Sequence, residues 1–211
     1  MVNEQMVNDQ MVNLIVDKLN WPDTFPERPE VTVDVRNSRD SLFLDWHVRG
    51  EQLRAVTTAD QGPVWEDSCV EFFCQVPGER HYMNFETNCI GAMVASRRLG
   101  RAEDVQPLSP AEMAQIERRC RFRRVGESEM TNARRESIEE QDGLFEWEVA
   151  LRIPLSLIFR DRQPAFPQPL RVNFYKCADK TRRPHYLSWA PIPLPKPDFH
   201  CPQFFREIQL V

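Results

Sequence analysis

The chain has 211 residues, of which 41% are hydrophobic and 28% are charged, and its formal net charge is −5. These values are typical of a soluble globular protein, and the acidic balance argues against nucleic-acid binding, which usually requires a basic surface. No apolar run approaches the roughly 18 residues that a membrane-spanning helix requires, so no membrane contact is predicted.

The first residues, 1–20, predict a flexible leader. A five-residue unit, MVNEQ and then MVNDQ, is repeated and is followed by a third MVN. This stretch is too short and polar for a structural repeat, and it lacks the basic and apolar segments of a secretory signal. The protein is therefore predicted to be cytoplasmic, or periplasmic or secreted if the amino terminus is incomplete. Residues 21–211 are predicted to form a single domain.

Alternation of apolar and polar residues with period two dominates the rest of the chain. It places Trp46 and Trp147 on buried faces, and it places Glu71 on the outward face of its strand. The predicted strands are VTVDV (31–35), SLFLDWHV (41–48), SCVEFFCQV (68–76), HYMNFETNCIG (81–91), LFEWEVALRIPL (144–155), LRVNFYKCA (170–178) and FREIQLV (205–211). Many short strands separated by turn residues predict an all-β fold, an antiparallel β-sandwich with one or two short inserted helices.

One helix is predicted over residues 109–120. Ser109 is suited to be its N-cap, Pro110 its first residue and Glu112 the partner of a capping box. Met113, Ile116 and Cys120 would form its apolar stripe, and the surrounding residues 97–143 are predicted to be an insertion with much loop. A further short helical turn is expected in PLSLIF, and the proline-rich segment 184–205 is expected to be an ordered loop held by its aromatic residues.

The six cysteines have irregular spacing and no CxxC pair, so they are predicted to be free, mostly buried thiols.

Two kinds of acidic site are open from the residues alone. A glycoside hydrolase would need a pair of carboxylates, and the candidates are Glu66, Asp67, Glu71, Glu86, Glu146 and Glu148. No cofactor is predicted apart from a structural calcium ion, for which the candidate ligands are Asp60, Glu66, Asp67 and Asp179.

Two further tryptophans, Trp65 and Trp189, lie where strands meet loops and are flanked by polar residues. Exposed indoles can stack on the apolar faces of a sugar ring, while carboxylates and arginines bind its hydroxyls. Trp65 with Glu71 would supply one wall of such a site. Trp189 would supply the other, with polar partners drawn from Arg97, Arg98, Tyr175 and Lys176.

The runs PVWEDSCVEFF, YMNFETNCIGAMVASRR, RVNFYKCADK, PHYLSWAPI and KPDFHCPQFFREIQL together resemble the family 9 carbohydrate-binding module, in its stand-alone form from Bacteroidetes. The resemblance covers nearly the whole chain from Trp21. It implies a sandwich of immunoglobulin-like or DOMON-like topology that binds the end of a glycan between two tryptophans, without catalysis, in some cases with structural calcium. It also implies an association with the glycoside hydrolases that break down xylan and related polysaccharides.

Carried over by position, the resemblance implies that Trp65 and Trp189 are the two tryptophans of the slot and that Glu71 binds sugar hydroxyls. Arg97 or Arg98 matches an arginine of the family, and Tyr175 lies near a glutamine position. The oligomeric state is not predicted.

An alternative from another class is a haem module, since related DOMON-like sandwiches bind haem between a methionine and a histidine. Met83 or Met93 with His185 would be the pair.

Overall fold

The computed structural model describes residues 11–160, 162 and 164–211, with only the backbone of Glu51. Two antiparallel sheets pack face to face. The strands are β1 (Val12–Ile15), β2 (Lys18–Leu19), β3 (Glu30–Asn37), β4 (Ser41–Ala55), β5 (Cys69–Gln75), β6 (Tyr82–Asn88), β7 (Met93–Arg98), β8 (Gln106–Pro107), β9 (Glu117–Arg124), β10 (Thr131–Asn132), β11 (Ile138–Pro154), β12 (Gln168–Cys177), β13 (Tyr186–Ser188) and β14 (Arg206–Leu210). The first sheet has the order β1-β3-β4-β11-β9-β10. The second has the order β2-β13-β12-β5-β6-β7-β8, with β14 also paired to β12.

The predicted alternation is confirmed by the core between the sheets. Trp46 of β4 and Trp147 of β11 are only 1% and 2% exposed. The Trp46 ring meets Phe174 of the opposite sheet edge-on, with 5.8 Å between centroids, and Phe174 lies 5.2 Å from Phe72. Aromatic rings of this kind bury large apolar areas, so the two sheets are held together mainly by the hydrophobic effect.

The predicted leader is partly wrong. Residues 1–10 lie outside the described residues, but Val12–Ile15 and Lys18–Leu19 belong to the two sheets. β1 pairs with β3, with Val12 opposite Val35, and β2 pairs with β13. Leu14 packs against the main core. The strand Val12–Ile15 therefore pairs one side of its backbone with β3 at the edge of the sheet, and no local sequence pattern reveals this distant partner.

The inserted helix is shorter than predicted. Helix α1 (Pro110–Met113) has the expected capping box, with Ser109 and Glu112 bonded reciprocally. The chain then forms strand β9, which pairs with β11 along its whole length. The run RRCRFRR also has period two, and pairing with a long neighbouring strand outweighed the helical spacing of its apolar residues. The short helix predicted after Ile153 is confirmed as α2 (Leu155–Phe159).

The outer face of the second sheet is partly covered by the proline-rich segment that follows β13. Phe199 of this segment stacks on Tyr175 at a centroid distance of 4.3 Å, and Trp21 lies 6.3 Å from Phe199. Phe73 and Tyr82 contribute to the same second apolar cluster. The segment covers one part of this face and leaves a neighbouring part open, and that opening is the site described below.

All six cysteines are free and buried, as predicted. Across the described residues, no helix has the length and apolar character needed to cross a membrane.

Candidate functional site

A cavity of about 780 Å³ opens on the outer face of the second sheet. It lies between the loop that precedes β5, the loop that follows β7 and the proline-rich segment. Its principal lining residues are Phe25, Gln61, Trp65, Glu71, Glu86, Val94, Ser96, Arg98, Arg101, Cys177, Asp179, Tyr186, Lys196, Phe199 and His200. The volume lies within the range of about 300–1,000 Å³ that is usual for small-molecule sites.

Two buried carboxyl groups lie side by side in this cavity. Glu71 of β5 and Glu86 of β6 are directly opposite each other in the strand register, and each is 4% exposed. Cα partners in an antiparallel pair have their side chains on the same face, so both carboxyls point outward from the sheet. Glu71 accepts a hydrogen bond from the thiol of Cys177 at 2.9 Å.

Burial raises the pKa of both carboxyls. Loss of hydration is the main cause for Glu71, and the neighbouring Glu86 raises the pKa of Glu71 further. Loss of hydration is also the main cause for Glu86. Two adjacent buried carboxyls do not readily ionise together. The pair therefore retains a proton more readily than ordinary glutamates, and it can donate as well as accept hydrogen bonds.

A chain of hydrogen bonds leads from Arg98 to Glu86 along the cavity wall. Arg98 donates to the hydroxyl oxygen of Ser96 through Nε and Nη2, at 2.8 and 2.5 Å. The Ser96 hydroxyl donates to Asn84 Oδ1 at 2.6 Å, and Asn84 Nδ2 donates to Glu86 at 2.7 Å. This chain holds the Glu86 carboxylate in one orientation, so the polar surface of the cavity is already ordered.

Trp65 supplies an exposed indole, with 39% of the residue accessible. It lies in a short 3₁₀ turn (Val64–Glu66) whose first residue, Val64, is fully buried. The carbonyl of Trp65 accepts the backbone N–H of Asp179 at 3.1 Å, and the carbonyl of Glu66 accepts that of Lys180 at 3.1 Å. The backbone is thus fixed on both sides while the ring remains open to the cavity.

Asp67, next to this turn, holds the loop in place. Its carboxylate is fully buried and accepts the backbone N–H groups of Val56 and Thr57, each at 3.0 Å. It also accepts from Asn88 Nδ2 at 2.9 Å and forms an ion pair with Arg54. Every strong acceptor position of this buried charge is therefore used for structure.

The rest of the cavity lining combines aromatic and charged residues. Phe25 meets Tyr186 edge-on, with centroids 4.8 Å apart. Asp179 lies at the rim, and partial loss of hydration raises the pKa of its carboxyl to about 6. Arg101 pairs with Asp198 at 3.2 Å. These residues therefore offer apolar ring surface together with hydrogen-bond donors and acceptors.

The structure brings together three of the seven predicted sugar-binding residues, namely Trp65, Glu71 and Arg98. The choice between the two arginines follows from alternation along β7. Arg98 shares the cavity face with Ser96, whereas Arg97 points to the other face and forms an ion pair with Glu79.

The other three predicted residues lie elsewhere. Tyr175 is fully buried beneath Phe199, to whose carbonyl its hydroxyl donates at 3.2 Å. Lys176 points into the sandwich, where its ammonium contacts the Cys177 carbonyl at 2.6 Å and His185 Nε2 at 2.8 Å. Trp189 packs edge-on against Phe174, 5.8 Å away. Trp189 also lines a separate apolar groove of about 350 Å³ near β1 and β14, so it does not face Trp65 across one slot.

The four predicted calcium ligands have separate environments. Asp60 pairs with Arg118 and Arg135 at 2.8 and 3.0 Å. Glu66 pairs with Lys180 at 2.9 Å. Asp67 and Asp179 are the loop carboxylate and the rim carboxylate described above. Among the described residues, none of the four belongs to a group of candidate ligand atoms close enough to share a metal ion, and a calcium site stays a prediction.

The principal site residues that the sequence analysis did not assign to sugar binding are Phe25, Glu86, Ser96, Arg101, Asp179, Tyr186 and His200. Two of them could have been found. Glu86 and Ser96 lie on the outward face that alternation assigns to their strands, and β5, β6 and β7 are consecutive. Phe25, Tyr186 and His200 come from distant loops, and no local pattern places them beside Glu71.

The sequence matches the family model described as Carbohydrate-binding family 9 over residues 1–210. A solved structure from Bacteroides uniformis, of a protein to which carbohydrate binding is attributed, is 34% identical with a TM-score of 0.84. The match covers 95% of this chain and 87% of that one. A search of curated proteins found no match.

Two solved structures of a family 9 module from Caldicellulosiruptor kristjanssonii also share the fold. The structure in complex with glucose is 12% identical, with a TM-score of 0.50, and covers 87% of this chain and 77% of that one. The structure in complex with cellotriose is 13% identical, with a TM-score of 0.54, and covers 100% and 89%. Together with the family match over almost the entire length, the sandwich fold establishes that this chain belongs to carbohydrate-binding family 9.

Proposed function

We propose that the protein binds carbohydrate without catalysis, and that the cavity holds one sugar residue of an oligosaccharide or polysaccharide. The observation that carries this proposal is the combination of an exposed indole, Trp65, with two buried carboxyl groups, Glu71 and Glu86, in one cavity of about 780 Å³. An apolar ring surface beside ordered polar groups matches a pyranose, which has an apolar C–H face and a rim of hydroxyls.

Each group has a distinct role in this proposal. Trp65 stacks on the C–H face of the sugar. The Glu71–Glu86 pair accepts hydrogen bonds from hydroxyls, and in its protonated state it donates one. Arg98 and its chain of hydrogen bonds keep Glu86 oriented, so little ordering is left to occur on binding, which favours affinity.

Family membership and the glucose and cellotriose complexes of the Caldicellulosiruptor module support a carbohydrate ligand. We extend the proposal to plant-type polysaccharides, with xylan as the first candidate, and to a role beside glycoside hydrolases. The cellular compartment stays a prediction.

The proposal is tested by calorimetric titration with glucose, cellotriose and xylo-oligosaccharides, together with Trp65→Ala. Wild-type protein is expected to bind at least one of these sugars, and Trp65→Ala is expected to lose most of that affinity. Trp189→Ala is the matched control, because it removes an indole that lies outside the cavity. Equal binding by wild type and Trp65→Ala would contradict the proposed role of the cavity.

The two neighbouring carboxyls, Glu71 and Glu86, carry a second candidate function, glycoside hydrolysis. Retaining glycosidases use two carboxyl groups about 5 Å apart, one of them with a raised pKa. Here Glu71 and Glu86 share one face of the sheet instead of facing each other across a bound sugar, which favours binding over hydrolysis. Turnover of a chromogenic glycoside by wild type that is lost in both Glu71→Gln and Glu86→Gln would establish this second function.

The haem alternative has no support among the described residues. Met83 and Met93 contribute to the core between the sheets. Both ring nitrogens of His185 already have partners, Lys176 Nζ at 2.8 Å and the carbonyl of Arg183 at 2.9 Å.

A further inference from the structure

Three potential metal ligands meet at the floor of the cavity. Cys69 and Glu71 are two residues apart on β5 and so point to the same face. Cys177 of β12 is the direct register partner of Cys69. The thiol sulfurs of Cys69 and Cys177 and a carboxylate oxygen of Glu71 all lie within 4.8 Å of one another.

The three groups are enclosed but not isolated from the cavity. Cys69, Cys177 and Glu71 are 0%, 1% and 4% exposed, respectively. Glu71 and Cys177 nevertheless contribute atoms to the cavity wall. An ion bound among the three ligand atoms would have protein on most sides and one direction open toward the cavity.

The donor set selects a class of metal. Calcium and magnesium prefer oxygen ligands alone, whereas two thiolates suit zinc and other thiophilic ions. A site with three protein ligands and one open position is the usual arrangement of zinc sites that exchange their fourth ligand. The group is therefore distinct from the calcium site predicted from the loop carboxylates.

The ligand atoms are already close together in the fold. The Cys177 thiol donates its proton to Glu71 at 2.9 Å, and its sulfur is 3.6 Å from the carbonyl of Trp65. A bound cation would displace the thiol protons of both Cys69 and Cys177, which pass to the solvent, as thiols release theirs when they become ligands. Little rearrangement of the two strands is needed.

We propose that Cys69, Glu71 and Cys177 bind a thiophilic divalent cation, such as Zn²⁺, with the fourth coordination position facing the cavity. The binding of this ion does not depend on the carbohydrate function. Glu71 is shared by the two sites, so occupation by the metal changes the polar surface that is offered to a sugar.

The experiment titrates reduced full-length protein with Co²⁺, followed by Zn²⁺, in the absence of sugar. Wild type is expected to show the sulfur-to-cobalt charge-transfer absorption of thiolate ligation, and one equivalent of Zn²⁺ is expected to remove it. Cys69→Ala and Cys177→Ala should each weaken metal binding at least about tenfold. Glu71→Gln should weaken binding while retaining the charge-transfer band.

Cys74→Ala is the matched control, because Cys74 is a buried thiol of the same strand that points to the opposite face. It is expected to bind Co²⁺ as wild type does. The proposal is overturned if reduced wild type shows no charge-transfer band, or if the band survives in both Cys69→Ala and Cys177→Ala. Circular dichroism of each metal-free variant verifies folding, and the wild-type titration decides the question even if a variant fails to fold. Sugar titrations of the same samples report separately on the carbohydrate function.

Discussion

Trp65 and Trp189 look alike in the sequence, since each lies at a strand–loop junction among polar residues. The structure gives them different surroundings. Trp65 is 39% exposed in a cavity that contains two buried carboxyls. Trp189 packs on Phe174 and borders an apolar groove that contains neither carboxyl. An exposed ring beside ordered polar groups indicates ligand binding, whereas a ring that covers the edge of a core indicates a role in stability.

The largest expected effect comes from the carboxylate that holds the Trp65 loop. Asp67→Ala would leave Arg54 without its carboxylate partner and two backbone N–H groups without acceptors in a buried environment. We expect the free energy of unfolding to fall by about 3–5 kcal/mol, measured by urea denaturation. Glu66→Gln, which alters only a half-buried residue paired with exposed Lys180, should change it by no more than about 0.5 kcal/mol. Similar losses in both variants would mean that Asp67 does not hold the loop.

The next effect concerns the ligand. If Trp65 buries about 100 Å² of its ring against a sugar, at about 25 cal/mol per Å², the contact contributes about 2.5 kcal/mol. Trp65→Ala should therefore weaken sugar binding by tens of fold in calorimetric titration, with little change in thermal stability because the ring is exposed. A large fall in melting temperature would instead assign Trp65 to the core.

Trp189→Ala should show the opposite pattern. Loss of its packing against Phe174 and the core is expected to lower the free energy of unfolding by about 2 kcal/mol, less than for a fully buried tryptophan. Affinity for sugar should be unchanged, because the cavity keeps all its lining residues. Loss of sugar binding in folded Trp189→Ala would show that the two tryptophans act in one site after all.

The smallest expected effect is the pH dependence of stability that is caused by His200, a residue of the cavity wall. Burial, together with nearby Arg98 and Arg101, lowers the pKa of His200 to about 3. The unfolded chain takes up this proton below its ordinary pKa of 6.5, whereas the folded chain does not, so His200 lowers stability as pH falls below 6.5. Between pH 6.5 and 5 the loss attributable to His200 should be about 1–2 kcal/mol.

The control for this effect is His200→Gln. The Tyr82 hydroxyl lies 2.8 Å from His200 Nδ1, and the amide oxygen of the glutamine can still accept a hydrogen bond from it. Its free energy of unfolding should fall less than that of wild type between pH 6.5 and 5. The carboxyls with raised pKa contribute with the opposite sign, but they are present in both proteins and cancel in the comparison. Identical pH profiles would show that His200 titrates normally in the folded state.

Local sequence patterns predict the structure best where the pattern and the tertiary structure demand the same residues. Alternation assigned Trp46 and Trp147 to the core because a strand packed on one face must alternate. The helix prediction was wrong at the run Glu117–Arg124, where helical and strand spacings overlap and pairing with β11 decided the outcome. The leader prediction was wrong at Val12–Ile15 and Lys18–Leu19, whose strand partners lie elsewhere in the chain.

The sequence by itself determined the sandwich and the family, and it pointed to the cavity residues Trp65 and Glu71. It narrowed the cavity arginine to Arg97 or Arg98. These depend on period-two faces and on motifs within single strands. Only the tertiary structure decided that Glu86 stands beside Glu71, that Trp189 lies on another surface and that Cys177 meets Cys69. Such neighbours are set by strand register and by loops that cross the sheet, and the hydrogen bond between Cys177 and Glu71, for example, spans 106 positions.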